Sequence, residues 1–202
     1  MTKIKLDLDK VEQAVEHSST AVPYPRTRIT NVIEAVIDGI GRFFSWAWVL
    51  LMVLVVLNVV LRYAFNTSFV ALEELQWHIY AVGFMIGLSY CVLKDGHVRV
   101  DVVAEQFSPK KRATIEFLGT ILFLIPFCLF VLYYAYPFVE RSFLINERSA
   151  NPGGLPMRWI IKSVILVAFS LLMMAGIARA LRALSLLTGF PRPLPETDQD
   201  QR

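Results

Sequence analysis

The chain is poor in the residues that redox and hydrolytic chemistry draw on. It holds three histidines and two cysteines in 202 residues. Cys91 and Cys128 lie in different apolar runs without CxxC or other metal spacing, so they read as small buried apolar residues and imply nothing about redox chemistry. A bis-histidine haem needs two imidazoles facing each other at membrane depth. His17 and His97 fall in polar stretches, which leaves His78. No HExxH accompanies it. His78 therefore reads as a polar side chain satisfied by Glu74 one turn earlier, and a catalytic or metal role has no supporting residues.

Charge is scarce as well, at 18% against 55% hydrophobic residues, and the apolar residues are gathered into blocks. That excludes an ordinary soluble domain. Four blocks, about 43–61, 72–93, 118–139 and 160–177, approach or reach the roughly 20 apolar residues that cross a hydrocarbon core. The first begins too far from Met1 for a signal peptide, so it is expected to be a retained span. No acidic residue stands near the middle of a block, where an ion-driven carrier or proton relay would place one. Nor is there a sign of the broken, duplicated helices of secondary transporters, so the chain is not expected to transport anything alone.

Orientation follows from the cations beside the blocks. Eleven of them (Arg26, Arg28, Arg42, Lys94, Arg99, Lys110, Lys111, Arg112, Arg179, Arg182 and Arg192) share one side and five (Arg62, Arg141, Arg148, Arg158 and Lys162) the other. The positive-inside rule then puts both termini and the middle loop in the cytoplasm. The expected fold is all-α: an integral membrane protein with four transmembrane helices and short interfacial amphipathic helices. Residues 1–30, with "HSST" and "PYP", read as a flexible tail, 31–182 as the membrane domain, and the proline-rich 183–202 as a second tail.

Local signals add detail. Asn31 with Glu34 fits an N-cap and its reciprocal acid, and apolar residues at helical spacing predict an interfacial helix over 31–41 that turns into span one at Gly39 and Gly41. "NTSF" offers a cap to span two, whose first turn holds Glu73 and Glu74 at the positive end of the helix dipole. Arg62 is expected to pair with one of these two acids. Gly83 and Gly87, four apart, would admit a close neighbour helix. Pro126 predicts a kink. Asn151-Pro152, Gly153-Gly154 and Leu155-Pro156 predict a compact outer loop.

The stretch "KDGHVRVD" ends span two, and beyond it Val100, Val103, Ala104 and Phe107 predict a second surface helix over 98–107. His97, Arg99 and Asp101 there read as solvated, headgroup-facing charges. Ser108 can cap the next helix with Pro109 at its first position. Lys110, Lys111 and Arg112 crowd that N-terminus against the dipole, which anionic headgroups would offset.

Four spans with "LEELQWHIYAVGFMIG" opening the second and "HVRVD" at its foot resemble the small permease subunit of TRAP (tripartite ATP-independent periplasmic) transporters, of the DctQ type. "ERSANPGGLPMRWIIK" is similar to a longer subgroup of these subunits. The resemblance covers roughly residues 43–182. It implies a non-enzymatic subunit of the bacterial inner membrane that braces a large permease, in sodium-coupled uptake of an organic anion, commonly a carboxylate, delivered by a periplasmic substrate-binding protein. Glu73, Glu74, His97, Arg99 and Asp101 become candidates for fold and subunit contact. No cofactor is expected in the chain; sodium ions would sit in the large subunit. Membrane lipids, anionic headgroups included, are the other expected partners, and nucleic acid is not one. A membrane anchor of a redox enzyme and a stand-alone small carrier or channel remain the alternatives.

Overall fold

The computed structural model describes residues 25, 27–94 and 107–190, and among these all regular structure is helical. The first helix, α1 (Arg28–Ala64, 37 residues), is continuous. The interfacial helix expected over 31–41 is thus not a separate element. Such a helix seeks the membrane surface only while its apolar face is uncovered, and here Ile37 is buried with Ile86, Leu171 and Ala175. Gly41 is no turn either. It is buried, and a Cβ there would lie 2.2 Å from Cδ2 of Tyr90, so it permits close helix approach. The cap is Thr27, not Asn31: Thr27 Oγ1 accepts from Thr30 N–H at 3.3 Å, and Thr30 Oγ1 accepts from Thr27 N–H at 3.0 Å.

At about 1.5 Å per residue α1 is roughly 55 Å long, well beyond the roughly 30 Å of a hydrocarbon core. A short connection follows. Thr67, in the "NTSF" stretch, does not cap the next helix but closes α1, donating its N–H to Leu61 O at 3.0 Å. The second helix, α2 (Val70–Leu93), starts at Phe69 without a side-chain cap. It returns antiparallel along α1. Gln76 Nε2 donates to Leu54 O at 3.0 Å, and Trp48 meets Tyr80 edge-on with centroids 5.8 Å apart.

Helix α3 (Pro109–Leu144) begins as its sequence suggests, with Ser108 Oγ accepting from Lys111 N–H at 3.4 Å and Pro109 in the first turn. Near Pro126 it contains a turn of π-helix, Thr120–Leu124, in which Ile125 N–H reaches Thr120 O. Proline has no N–H and its ring clashes with the carbonyl four residues back, so a widened turn just before it relieves both faults. The buried face of α3 consists of Ala113, Thr120, Cys128, Ala135 and Ser142.

Helix α4 (Trp159–Thr188) outruns the expected 160–177 span and continues past Arg182. Arg179 and Arg182 dilute the hydropathy there, but Ala175, Ala178, Ala180 and Ala183 around them are buried. It ends on Gly189 in the left-handed region at φ 73°, whose N–H donates to Ser185 O at 2.9 Å. α4 touches the other three helices, while α2 lies between α1 and α4, and α3 packs chiefly on α4. α1, α2 and α4 thus pack on one another and α3 is added on α4, whose buried positions are mostly small residues. All four helices are long and apolar enough to cross a membrane, and the chain is a multi-pass membrane protein.

Candidate functional site

Among the described residues, most of the ion pairs and long-range polar side-chain contacts gather at the two ends of the helices. At the end holding the α1–α2 and α3–α4 connections, Glu74 reaches into the loop 145–158. Its Oε2 accepts from Leu155 N–H at 2.7 Å. Its Oε1 accepts from Asn151 Nδ2 at 3.0 Å and from the Ser149 hydroxyl. The loop closes on itself through Ser149 N–H to Leu155 O at 3.1 Å and Gly154 N–H to Asn151 O at 3.0 Å. Gly154 must be small, because a Cβ would lie 2.8 Å from Glu74 Oε1 and 2.5 Å from Ser149 Cβ. Gly153, at φ 77°, and Pro152 form the exposed tip.

The foot of the same loop has its own clamp. Arg158 N–H donates to Glu147 O at 2.9 Å, and the Lys162 ammonium donates to the Glu147 carboxylate. That ammonium also lies 4.0 Å from the centroid of the Phe138 ring. Lys162 holds the Glu147 carboxyl below its usual range.

Arg62 forms no ion pair with Glu73 or Glu74 among the described residues; it is exposed at the end of α1. The helical register explains this for Glu74. Gln76 turns toward α1, and Glu73, three residues earlier, shares that face. Glu74 is rotated about 100° onward, toward the loop. His78 is satisfied by Glu74, but through its backbone: Nδ1 lies 2.5 Å from Glu74 O. Gly83 packs on the Trp48 ring and Gly87 faces open space, so the glycine pair does not bring two helix backbones together within this chain.

At the opposite end, acids on α1 and α3 meet cations on α2 and α4. Glu34 pairs with Arg182 at 3.0 Å, and Asp38 with Lys94 at 2.8 Å. Glu116 pairs with Arg179, which also donates to Val92 O at 3.1 Å. Asp38 pairs with Arg42 one turn along α1. A cavity of about 30 Å³ beneath this layer is lined by Glu34, Ile37, Val92 and Arg182 among others. His97, Arg99 and Asp101 lie outside the described residues, as does the surface helix expected over 98–107 apart from Phe107.

The sequence singles out Glu74, Asn151 and Gly154 as separate candidates without joining them, assigns Glu34 to the Asn31 cap, and does not single out Ser149, Glu147 with Lys162, Asp38 or Glu116. The Asp38–Arg42 spacing was a readable signal; the other partners lie too far apart in sequence to be paired by spacing.

Residues 51–186 match the sequence profile of the family described as "Tripartite ATP-independent periplasmic transporters, DctQ component". A Haemophilus influenzae protein provisionally named a TRAP transporter small permease protein is 30% identical over 111 residues, covering 53% of this chain and 64% of that relative. The chain thus spans slightly under two thirds of that relative's length.

Proposed function

Since the chain belongs to the DctQ component family of tripartite ATP-independent periplasmic transporters, we propose that it is the small membrane subunit bracing a large permease in sodium-coupled uptake of an organic anion. In this reading the chain performs no enzymatic step. The large subunit binds the substrate and sodium ions, and a periplasmic binding protein delivers the substrate. The termini lie in the cytoplasm and the Glu74-anchored loop lies in the periplasm of a bacterial inner membrane.

One observation carries the reading: charged side chains tie α1 to α2 and α4, and α3 to α4, at one end, and tie α2 to the α3–α4 loop at the other. Ties of this kind fix the separation and tilt of helices, and with α3 packed chiefly on α4 the four helices offer a partner more surface than a closed bundle does. A brace needs both properties. Reconstitution tests it. Vesicles holding the large permease, with binding protein and a sodium gradient, should take up substrate when this chain is present. Equal uptake without the chain would refute the bracing role.

A further inference from the structure

Relieving the carbonyl four residues before Pro126 leaves another carbonyl unmet. In an α-helix Ile121 O would accept from the N–H of residue 125, and in a π turn from that of residue 126. Here Ile125 N–H goes to Thr120 O, and residue 126 is a proline without an N–H. Serine or threonine hydroxyls one turn further on can mend such a gap, but residues 124 and 125 are leucine and isoleucine. Among the described residues no other side chain donates to Ile121 O.

This carbonyl lies on the outer side of α3 at hydrocarbon depth. Thr120 and Leu124 take the side toward α4, against Gly176. Ile121, Leu122 and Phe123 are 40%, 61% and 75% exposed. Glu116, paired with Arg179 in the charge layer, stands five residues before Ile121, about 7.5 Å along the axis. Residues 117–139 carry no charge, so the hydrocarbon begins near Glu116 and Ile121 lies within it. Neither lipid tails nor bulk water offers a donor there, and an unmet carbonyl is strongly unfavourable.

The missing donor selects the occupant. It must be neutral, because a cation at that depth would lose its own hydration. A second copy does not supply it. In a two-fold pair the same face meets itself, and the exposed residues here, Leu118, Ile121, Leu122, Phe123, Pro126 and Phe127, have no side-chain N–H or O–H. We infer that this face of α3 seats a helix of a different membrane protein, which donates a hydroxyl, amide or indole hydrogen to Ile121 O. This rests on the reading of the chain as a subunit and makes that helix part of the large permease.

The test reads the carbonyl directly. Labelling with carbonyl-13C isoleucine and 15N leucine selects the Ile–Leu bonds of the chain, at Ile121 and Ile165. Ile165, inside α4, is the hydrogen-bonded reference. Hydrogen bonding moves a carbonyl carbon downfield. Solid-state NMR of the full chain in bilayers should therefore place Ile121 upfield of Ile165, and Ile121 alone should move downfield when the unlabelled large permease is co-assembled. An Ile121 carbonyl already downfield in the chain by itself has its donor from water, lipid or a second copy, and that result would overturn the inference. So would a carbonyl that stays in place in the complex, while leaving the subunit reading standing. Failure of the two proteins to co-assemble would defeat the subunit reading and the inference with it. Pro126→Ala supplies the N–H that a π turn directs to Ile121 O. It should move that carbonyl downfield without any partner and lower recovery of the large permease several-fold, with no fall in the chain's own melting temperature; unchanged recovery counts against the inference.

Discussion

Glu74 on α2 accepts a hydrogen bond from the backbone N–H of Leu155, 81 residues later, at 2.7 Å. The α3–α4 loop is therefore shaped around a carboxylate on another helix. Glu74→Ala removes the acceptor shared by Leu155, Asn151 and Ser149. Proteolysis at Arg148 and Arg158 in vesicles should then become several-fold faster, with helical content unchanged by circular dichroism. Glu74→Gln keeps the shape and one acceptor oxygen, so its effect should be smaller.

At the loop's foot the relevant variable is pH. Lys162 lowers the pKa of Glu147 below its ordinary 4.5. A depressed carboxylate contributes stability above its unfolded pKa and loses it as pH falls through the folded value. The foot should thus stay closed at neutral pH and open only below about 4.5. Trp159, whose ring meets Phe143 at 5.2 Å, can report this in a variant with Trp46, Trp48 and Trp77 replaced by Phe. Lys162→Met should weaken the clamp at neutral pH and move any remaining transition upward.

Gly41→Ala forces the Tyr90 ring away. Since a Cβ would also lie 3.0 Å from Tyr90 Cβ, the ring cannot evade it by rotation alone, and α1 and α2 must separate. Overpacking of this kind costs about 1–3 kcal/mol. Thermal unfolding in detergent should show the loss, whereas Gly39→Ala, with open space around it, should not.

Arg182→Glu opposes Glu34 with a like charge where both side chains are mostly buried, at 20% and 15% exposure. The expected loss is about 1–3 kcal/mol, between the exposed and fully buried regimes. Combining it with Glu34→Arg should restore much of the melting temperature. No recovery in the double variant would show that the pair does not hold α1 to α4.

The four helices were legible because twenty-residue apolar runs have few alternative folds. The Ser108–Pro109 start of α3 was legible because caps are local. Their true lengths were less so. α4 continues through Arg179 and Arg182, and hydropathy registers a charged residue without registering the acid opposite it. Asn31 was a sound N-cap candidate by composition, yet Thr27 and Thr30 satisfy each other and begin the helix earlier. The Arg62 pairing fails at Glu74 for a rotational reason, because Glu74 is turned to the α3–α4 loop while Gln76 faces Leu54, and Arg62 itself is exposed at the end of α1. The loop's turn formers were visible, but its anchor lay on another helix.

The π turn of α3 has a consequence for counting. Its buried residues are spaced by seven from Ala113 to Thr120 and again from Cys128 through Ala135 to Ser142, but by eight across the turn. The wide turn absorbs one surplus residue and keeps both halves in phase against α4. A chain one residue shorter between 121 and 127 could present the same face from an ordinary α-helix, so at this point of the fold a single-residue deletion is a change of pitch that leaves the contact surface in place.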